Sequence, residues 1–152
     1  MTRKYAEDTA VPIARTREHL EALLRRRGCE GFAYGWTGAQ DRVEFVWNRR
    51  RIRFTLPRPK RDDLALTATG LARSDRAIDI AIANEDRRRW RGLLLVVRAK
   101  LEAVEAGITT FESEFLAHIV MPNDQTIGDI LVPQLGDGTI AKRLLPAREQ
   151  PQ

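Results

Sequence analysis

The sequence of 152 residues holds one cysteine, Cys29, so no disulfide can close within the chain and no cysteine cluster can hold zinc. Its two histidines, His19 and His118, lie far apart and form no His-Glu-x-x-His pair. No Walker loop, no Gly-x-Gly-x-x-Gly turn and no Gly-x-Ser-x-Gly elbow is present. Apolar runs such as Gly92–Val97 are far too short to cross a bilayer, and Met1–Asp8 lacks the apolar core of a signal peptide. The expectation is a cytoplasmic protein with no membrane partner, no metal, no cofactor and no recognisable catalytic constellation.

The chain is 43% hydrophobic and 31% charged, proportions of a folded domain somewhat rich in charge. Its charge is uneven. Residues 1–61 carry 15 basic against 7 acidic side chains, a net +8, while residues 62–152 carry 11 against 14, a net −3. Such a field attracts polyanions without saying anything about fold.

Periodicity supplies the fold. Leu20, Leu23 and Leu24 share one face of a first helix, with Thr16 as its expected N-cap after an extended Val11-Pro12-Ile13 and Gly28 as its stop. Cys29 reads as a small buried group just beyond it. Three segments then alternate with period two: Phe32/Tyr34/Trp36, Val43/Phe45/Trp47 and Ile52/Phe54/Leu56. With Arg49-Arg50 as the second turn, Trp47 pairs with Ile52, Phe45 with Phe54 and Val43 with Leu56, leaving Val46/Arg53 and Glu44/Thr55 on a face turned to water.

Pro57-Arg58-Pro59 ends the sheet, and a long connector runs to Arg73. Ser74 caps a helix from Asp75 to Ala106, closed by Gly107, with Trp90, Leu93, Val97, Leu101 and Val104 as its buried stripe and Asn84-Glu85-Asp86 as its weakest point. Leu94, Leu95 and Val96 lie off that stripe and suit either a central helix or a dimer contact. Thr109-Thr110-Phe111-Glu112 opens a short helix through a capping box, and Thr126-Ile127-Gly128-Asp129 opens another, stopped near Pro133 or Gly136. The fold class is α+β: a three-stranded antiparallel meander packed on a first helix and a long central helix, with short C-terminal helices. Residues 1–137 make a single domain and residues 138–152 a loosely structured C-terminal tail.

The strongest functional signal is basic. Arg49, Arg50, Arg51 and Arg53 crowd the second hairpin, Arg58, Lys60 and Arg61 follow it, and Arg25, Arg26 and Arg27 end the first helix. Such a set suits contact with phosphates by counterion release. Arg87, Arg91 and Arg98 form a second ridge, within about 40° of one another on the long helix. Tyr34 and Trp36 suit a sheet core better than base stacking. Glu114 and His118 have metal-ligand spacing, with Asp124 nearby, but too few donors surround them.

The stretch from Trp90 to Asp129, with Tyr5-Ala6-Glu7 through Val11-Pro12 and the strand Arg51-Ile52-Arg53-Phe54-Thr55-Leu56-Pro57, resembles a family of phage- and prophage-encoded proteins with no assigned activity. The likeness covers most of residues 5–130 and implies a protein working inside a bacterial host cell, on nucleic acid or on a host factor. The helix, three-strand, helix order is also similar to the double-stranded RNA-binding domain, although the connector is too long for it. Two readings follow: a non-enzymatic nucleic-acid-binding protein, for DNA or RNA, in replication or recombination; or a protein-interaction module such as an inhibitor of a host or defence factor, possible as a homodimer.

Overall fold

The structure is a computed structural model, and it describes residues 11–139. The expected tail, 138–152, therefore lies almost wholly outside the described residues, as does Tyr5-Ala6-Glu7.

Helix α1 (Ile13–Arg26) starts earlier than the sequence suggests. Pro12, with φ −59 and ψ 145, holds the N-cap position, and its carbonyl accepts the amide of Thr16 at 3.2 Å. Proline is suited to a helix start because it has no amide to leave unpaired. Thr16 is therefore not the cap but a buried residue of the first turn. The helix stops as expected, with Gly28 at φ +86.

Three antiparallel strands follow in the order β1 (Gly31–Trp36), β2 (Gln40–Trp47), β3 (Arg50–Pro57). The pairing of β2 with β3 differs from the sequence expectation by two residues: Trp47 faces Arg50, Phe45 faces Ile52 and Val43 faces Phe54. The turn is Asn48-Arg49, both left-handed at φ 48 and φ 61. That is the geometry a two-residue hairpin needs, and asparagine adopts it at lower cost than arginine. A two-residue slip preserves side-chain parity, so the apolar face survives while every cross-strand partner changes. In particular Glu44 now faces Arg53, and this outer face is not left to water.

A 3₁₀ turn (Asp62–Leu64) and a Leu66–Ala72 bridge fold the connector back on itself, and Arg73 ties it by donating to the carbonyls of Leu64 and Leu66 at 2.9 and 2.8 Å. Helix α2 (Asp75–Glu105) is capped by Ser74 and runs without a break through Asn84. Helix α3 (Phe111–Phe115), capped by Thr110 without a capping box, passes into a 3₁₀ turn, so Ile119 is not helical but bridges Ile52 on the outer edge of β3. Helix α4 (Ile127–Gly136) has a full capping box between Thr126 and Asp129.

The core lies on one face of the sheet, where Val43, Phe45, Ile52 and Phe54 meet Leu20, Leu23 and Leu24 of α1, Trp90, Leu93, Leu94, Val97 and Leu101 of α2, and Phe111 and Phe115 of α3. Leu94 belongs to this core at 1% exposure, which removes it from any dimer contact; Leu95 is half-buried and Val96 exposed. Trp36 departs from the core reading, at 67% exposure. Because three strands separate the helices, an odd number, α1 and α2 run parallel: Arg17 lies against Trp90, and Arg27 reaches Glu102. Among the described residues no helix is long and apolar enough to cross a membrane.

Arg49→Gly should raise stability by about 1 kcal/mol, because glycine adopts the left-handed turn without strain. A rise in the urea midpoint at unchanged slope is the expected readout.

Candidate nucleic-acid interface

The hairpin arginines do not form the free cationic surface that their sequence spacing suggests. Arg53 is buried, at 6% exposure, on the outer face of the sheet. Its guanidinium donates to Glu44 at 2.5 Å, to the Asp124 carboxylate at 2.7 Å and to the Asp124 carbonyl at 2.6 Å. Burial opposes its charge, yet the hydrogen bonds to Asp124 and Glu44 hold its pKa above the usual arginine value. Arg51 shares both carboxylates. Arg50 pairs with Glu112 at 3.2 Å, Arg58 with the buried Asp41 at 2.9 Å, and Arg61 with Asp75 and Asp79. At the end of α1, Arg25 pairs with Glu21 and Arg27 with Glu102 and Glu105.

Of the ten expected contact residues, only Arg26, Arg49 and Lys60 make no ion pair among the described residues. They are also apart. Arg49 sits in the β2–β3 turn, whereas Lys60 follows the far end of an eight-residue strand, about 25 Å away. Arg26 belongs with the Arg49 end, since the neighbouring Arg27 carbonyl accepts the Trp47 indole N–H at 3.4 Å.

A different cationic surface remains open between the parallel helices. Arg26 of α1 and Arg98 of α2 border the same two depressions, of about 700 and 490 Å³. His19 and Ala22 line the larger one. Arg15 and His19 lie within about 40° of Arg26 around α1, and Arg87 and Arg91 within about 40° of Arg98 around α2, so the two rows face one groove. Arg15, Arg26, Arg91 and Arg98 form no ion pair among the described residues, and Arg87 hydrogen-bonds only through Asn84 in that set. The larger depression also carries Glu18 and Glu21, the latter held by Arg25, and the smaller carries Glu102 and Glu105, both held by Arg27. Sequence spacing identified the α2 row as a ridge, but only the packing of α1 beside it makes a groove.

Other candidates are absorbed by the fold. Glu114 binds Lys100 at 3.2 Å, His118 stacks on Phe54 at 3.9 Å, and Asp124 serves Arg51 and Arg53, so these three do not converge on a metal. Among the described residues no group of three metal-ligating side chains comes together. Tyr34 carries Arg17 over its ring and donates to Asp41, and Trp36 is stacked under Arg58. Burial pushes the Cys29 thiol up to about 11, leaving it protonated and unreactive at neutral pH. Asp41, which sequence reasoning passed over, receives hydrogen bonds from Trp90 at 3.1 Å, Arg58 at 2.9 Å and Tyr34 at 3.3 Å.

Compared with protein-family models, curated proteins and solved structures, the chain matches none. No residue role reaches this groove from any of these comparisons.

Two stability experiments follow. Arg53→Ala removes the buried one of the two cations shared by Glu44 and Asp124, leaving them only the more exposed Arg51, and should cost about 3 kcal/mol, whereas Arg50→Ala should cost no more than about 1 kcal/mol; urea unfolding compares them. On α2, hydrogen bonds from Arg88 and Arg89 hold Glu85 near a pKa of about 2, below the ordinary 4.5. A depressed carboxylate contributes stability that is whole above about pH 4.5 and lost as pH falls towards about 2. The thermal midpoints of wild type and Glu85→Gln should therefore differ at pH 6 and converge on acidification through that window.

Proposed function

We propose that this protein is a non-enzymatic nucleic-acid-binding protein that contacts phosphates through the groove between α1 and α2. The observation that carries this reading is the meeting of Arg26 and Arg98, from two helices, at shared depressions with no carboxylate partner for either among the described residues. Arg15, Arg91 and the pair's other neighbours extend the row along each helix for about 16 Å, enough to follow two or three successive phosphates of one strand. Guanidinium groups without internal partners lose little on engaging phosphate, while those already bound to carboxylates must first give up an ion pair. The hairpin set is thereby reassigned mainly to structural work.

Binding of short DNA and RNA duplexes and single strands should be salt-sensitive, with log affinity falling against log salt at a slope of about 3 to 4 if four phosphates are neutralised. Arg26→Glu with Arg98→Glu should reduce affinity at least about tenfold and flatten that slope, Glu18→Lys should strengthen binding, and Arg49→Gly should leave it nearly unchanged. Absence of retention at low salt, or full affinity after the double reversal, would end the proposal.

A protein-interaction module is the second reading, and α4 favours it. Among the described residues that helix is more apolar than α1 or α2 yet buries none of its residues fully, and Val132 and Leu135 are 61% and 62% exposed. Under this reading no nucleic acid is retained at low salt, and Val132→Glu with Leu135→Glu disrupts partner binding without lowering stability.

A further inference from the structure

The two edges of the sheet are treated differently. On β3 the outer edge is occupied: Ile119 bridges Ile52, and the Val120 amide donates to the Arg51 carbonyl at 2.8 Å. On β1 no described strand lies outside, since the sheet order is β1-β2-β3. The hydrogen bond from the Thr37 amide to the Gln40 carbonyl, at 2.8 Å, fixes the phase of the β1–β2 ladder. Gly31, Ala33 and Gly35 therefore bond to β2, and Phe32, Tyr34 and Trp36 turn their N–H and C=O groups outward. The strand Gly-Phe-Ala-Tyr-Gly-Trp has no charge and no proline, the usual protections of a free edge.

We propose that β1 pairs antiparallel with β1 of a second copy, joining two sheets into one of six strands. The sequence of the strand is self-complementary about Tyr34. With Tyr34 opposite Tyr34 of the second copy, Phe32 of each copy faces Trp36 of the other, and every outward N–H and C=O of these residues finds a partner. The aromatic residues share one face, that of Asp41, which Trp36 opposes in the register. Gly31, Ala33 and Gly35 share the other, where their small size permits close approach.

The side chain that gains most is Trp36, exposed at 67% in the single chain. Opposite Phe32, Trp36 of the second copy reaches the depression of about 200 Å³ between α1 and the start of β1, lined by Leu24, Cys29, Gly31 and Phe32 with Glu21 and Arg25 at its rim. An exposed tryptophan at one end of an uncharged strand and a depression beside the other end are brought together twice by one two-fold axis. This surface adjoins the larger depression of the groove, with which it shares Glu21 and Arg25, but Ala33 and Gly35 line neither depression, so substitutions there address dimerisation alone.

The test uses the unaltered full chain as parent, with Cys29→Ser added only to the cysteine pair. Light scattering after size exclusion should give twice the chain mass for this parent. Ala33→Lys with Gly35→Lys should give a monomer with unchanged circular dichroism, because the two lysines of one copy face those of the other. Both sites accept a side chain: Ala33 is exposed and a Cβ at Gly35 meets nothing within 4 Å. Ala33→Cys with Gly35→Cys occupies facing non-hydrogen-bonded positions, about 4.5 Å between Cα atoms, and should oxidise to a covalent dimer. A parent that is monomeric at every concentration overturns the proposal. So does a dimer that survives the lysine pair, or one that the cysteine pair fails to link, since either means another surface.

Discussion

Asp41 is a carboxylate at 5% exposure in the middle of an aromatic cluster, and a charge in that position is tolerable only when its oxygens are fully engaged. Its partners come from separate elements: the indole of Trp90 on α2, the guanidinium of Arg58 just past β3, and the hydroxyl of Tyr34 on β1. Removing any one of them strands part of a buried charge. The network therefore fixes the rotation of α2 about its axis, because Trp90 must present its N–H to β2 while Leu93, Leu94 and Val97 face the core. Once α2 is set in that way, its Arg87, Arg91 and Arg98 row is committed to the flank where α1 lies.

The same logic governs where the positive charge goes. Arginine is suited to hold loops onto a sheet, since its planar fork binds carboxylates and carbonyls together. Arg53 does so for the Met121–Thr126 loop, Arg61 for the start of α2, and Arg27 for the junction of the two helices. The acidic excess of the second half of the chain is thus largely spent on the basic excess of the first. Among the described residues, Arg15, Arg26, Arg91 and Arg98 remain uncompensated on the shoulders of α1 and α2, while Arg49 and Lys60 stand apart from them.

Much of the fold was legible from residue spacing, and the failures have physical causes. Alternation in Val43/Phe45 and Ile52/Phe54 identifies strands and the buried face correctly because both depend only on parity. Register depends on the turn, and Asn48 was the residue to weigh: its tolerance of positive φ outranks the mere position of two arginines. The slip hid the Glu44–Arg53 pair and so made a buried clamp look like a surface contact. Asp41 was also readable in principle, since it shares the phase of Val43 and Phe45, and a carboxylate in an apolar phase signals an internal partner. The groove was not readable, because nothing in local spacing tells which side of α2 the first helix will occupy.

Gly128 shows how closely the last helix is seated. A Cβ there would lie 2.7 Å from the Ala117 carbonyl oxygen, so even alanine would force backbone apart. One turn later the outward residues Leu131, Val132 and Leu135 meet no such constraint. Natural variation in this helix should accordingly be lopsided, with glycine retained at its start and side chains of many sizes accepted further along, unless another molecule restricts them there.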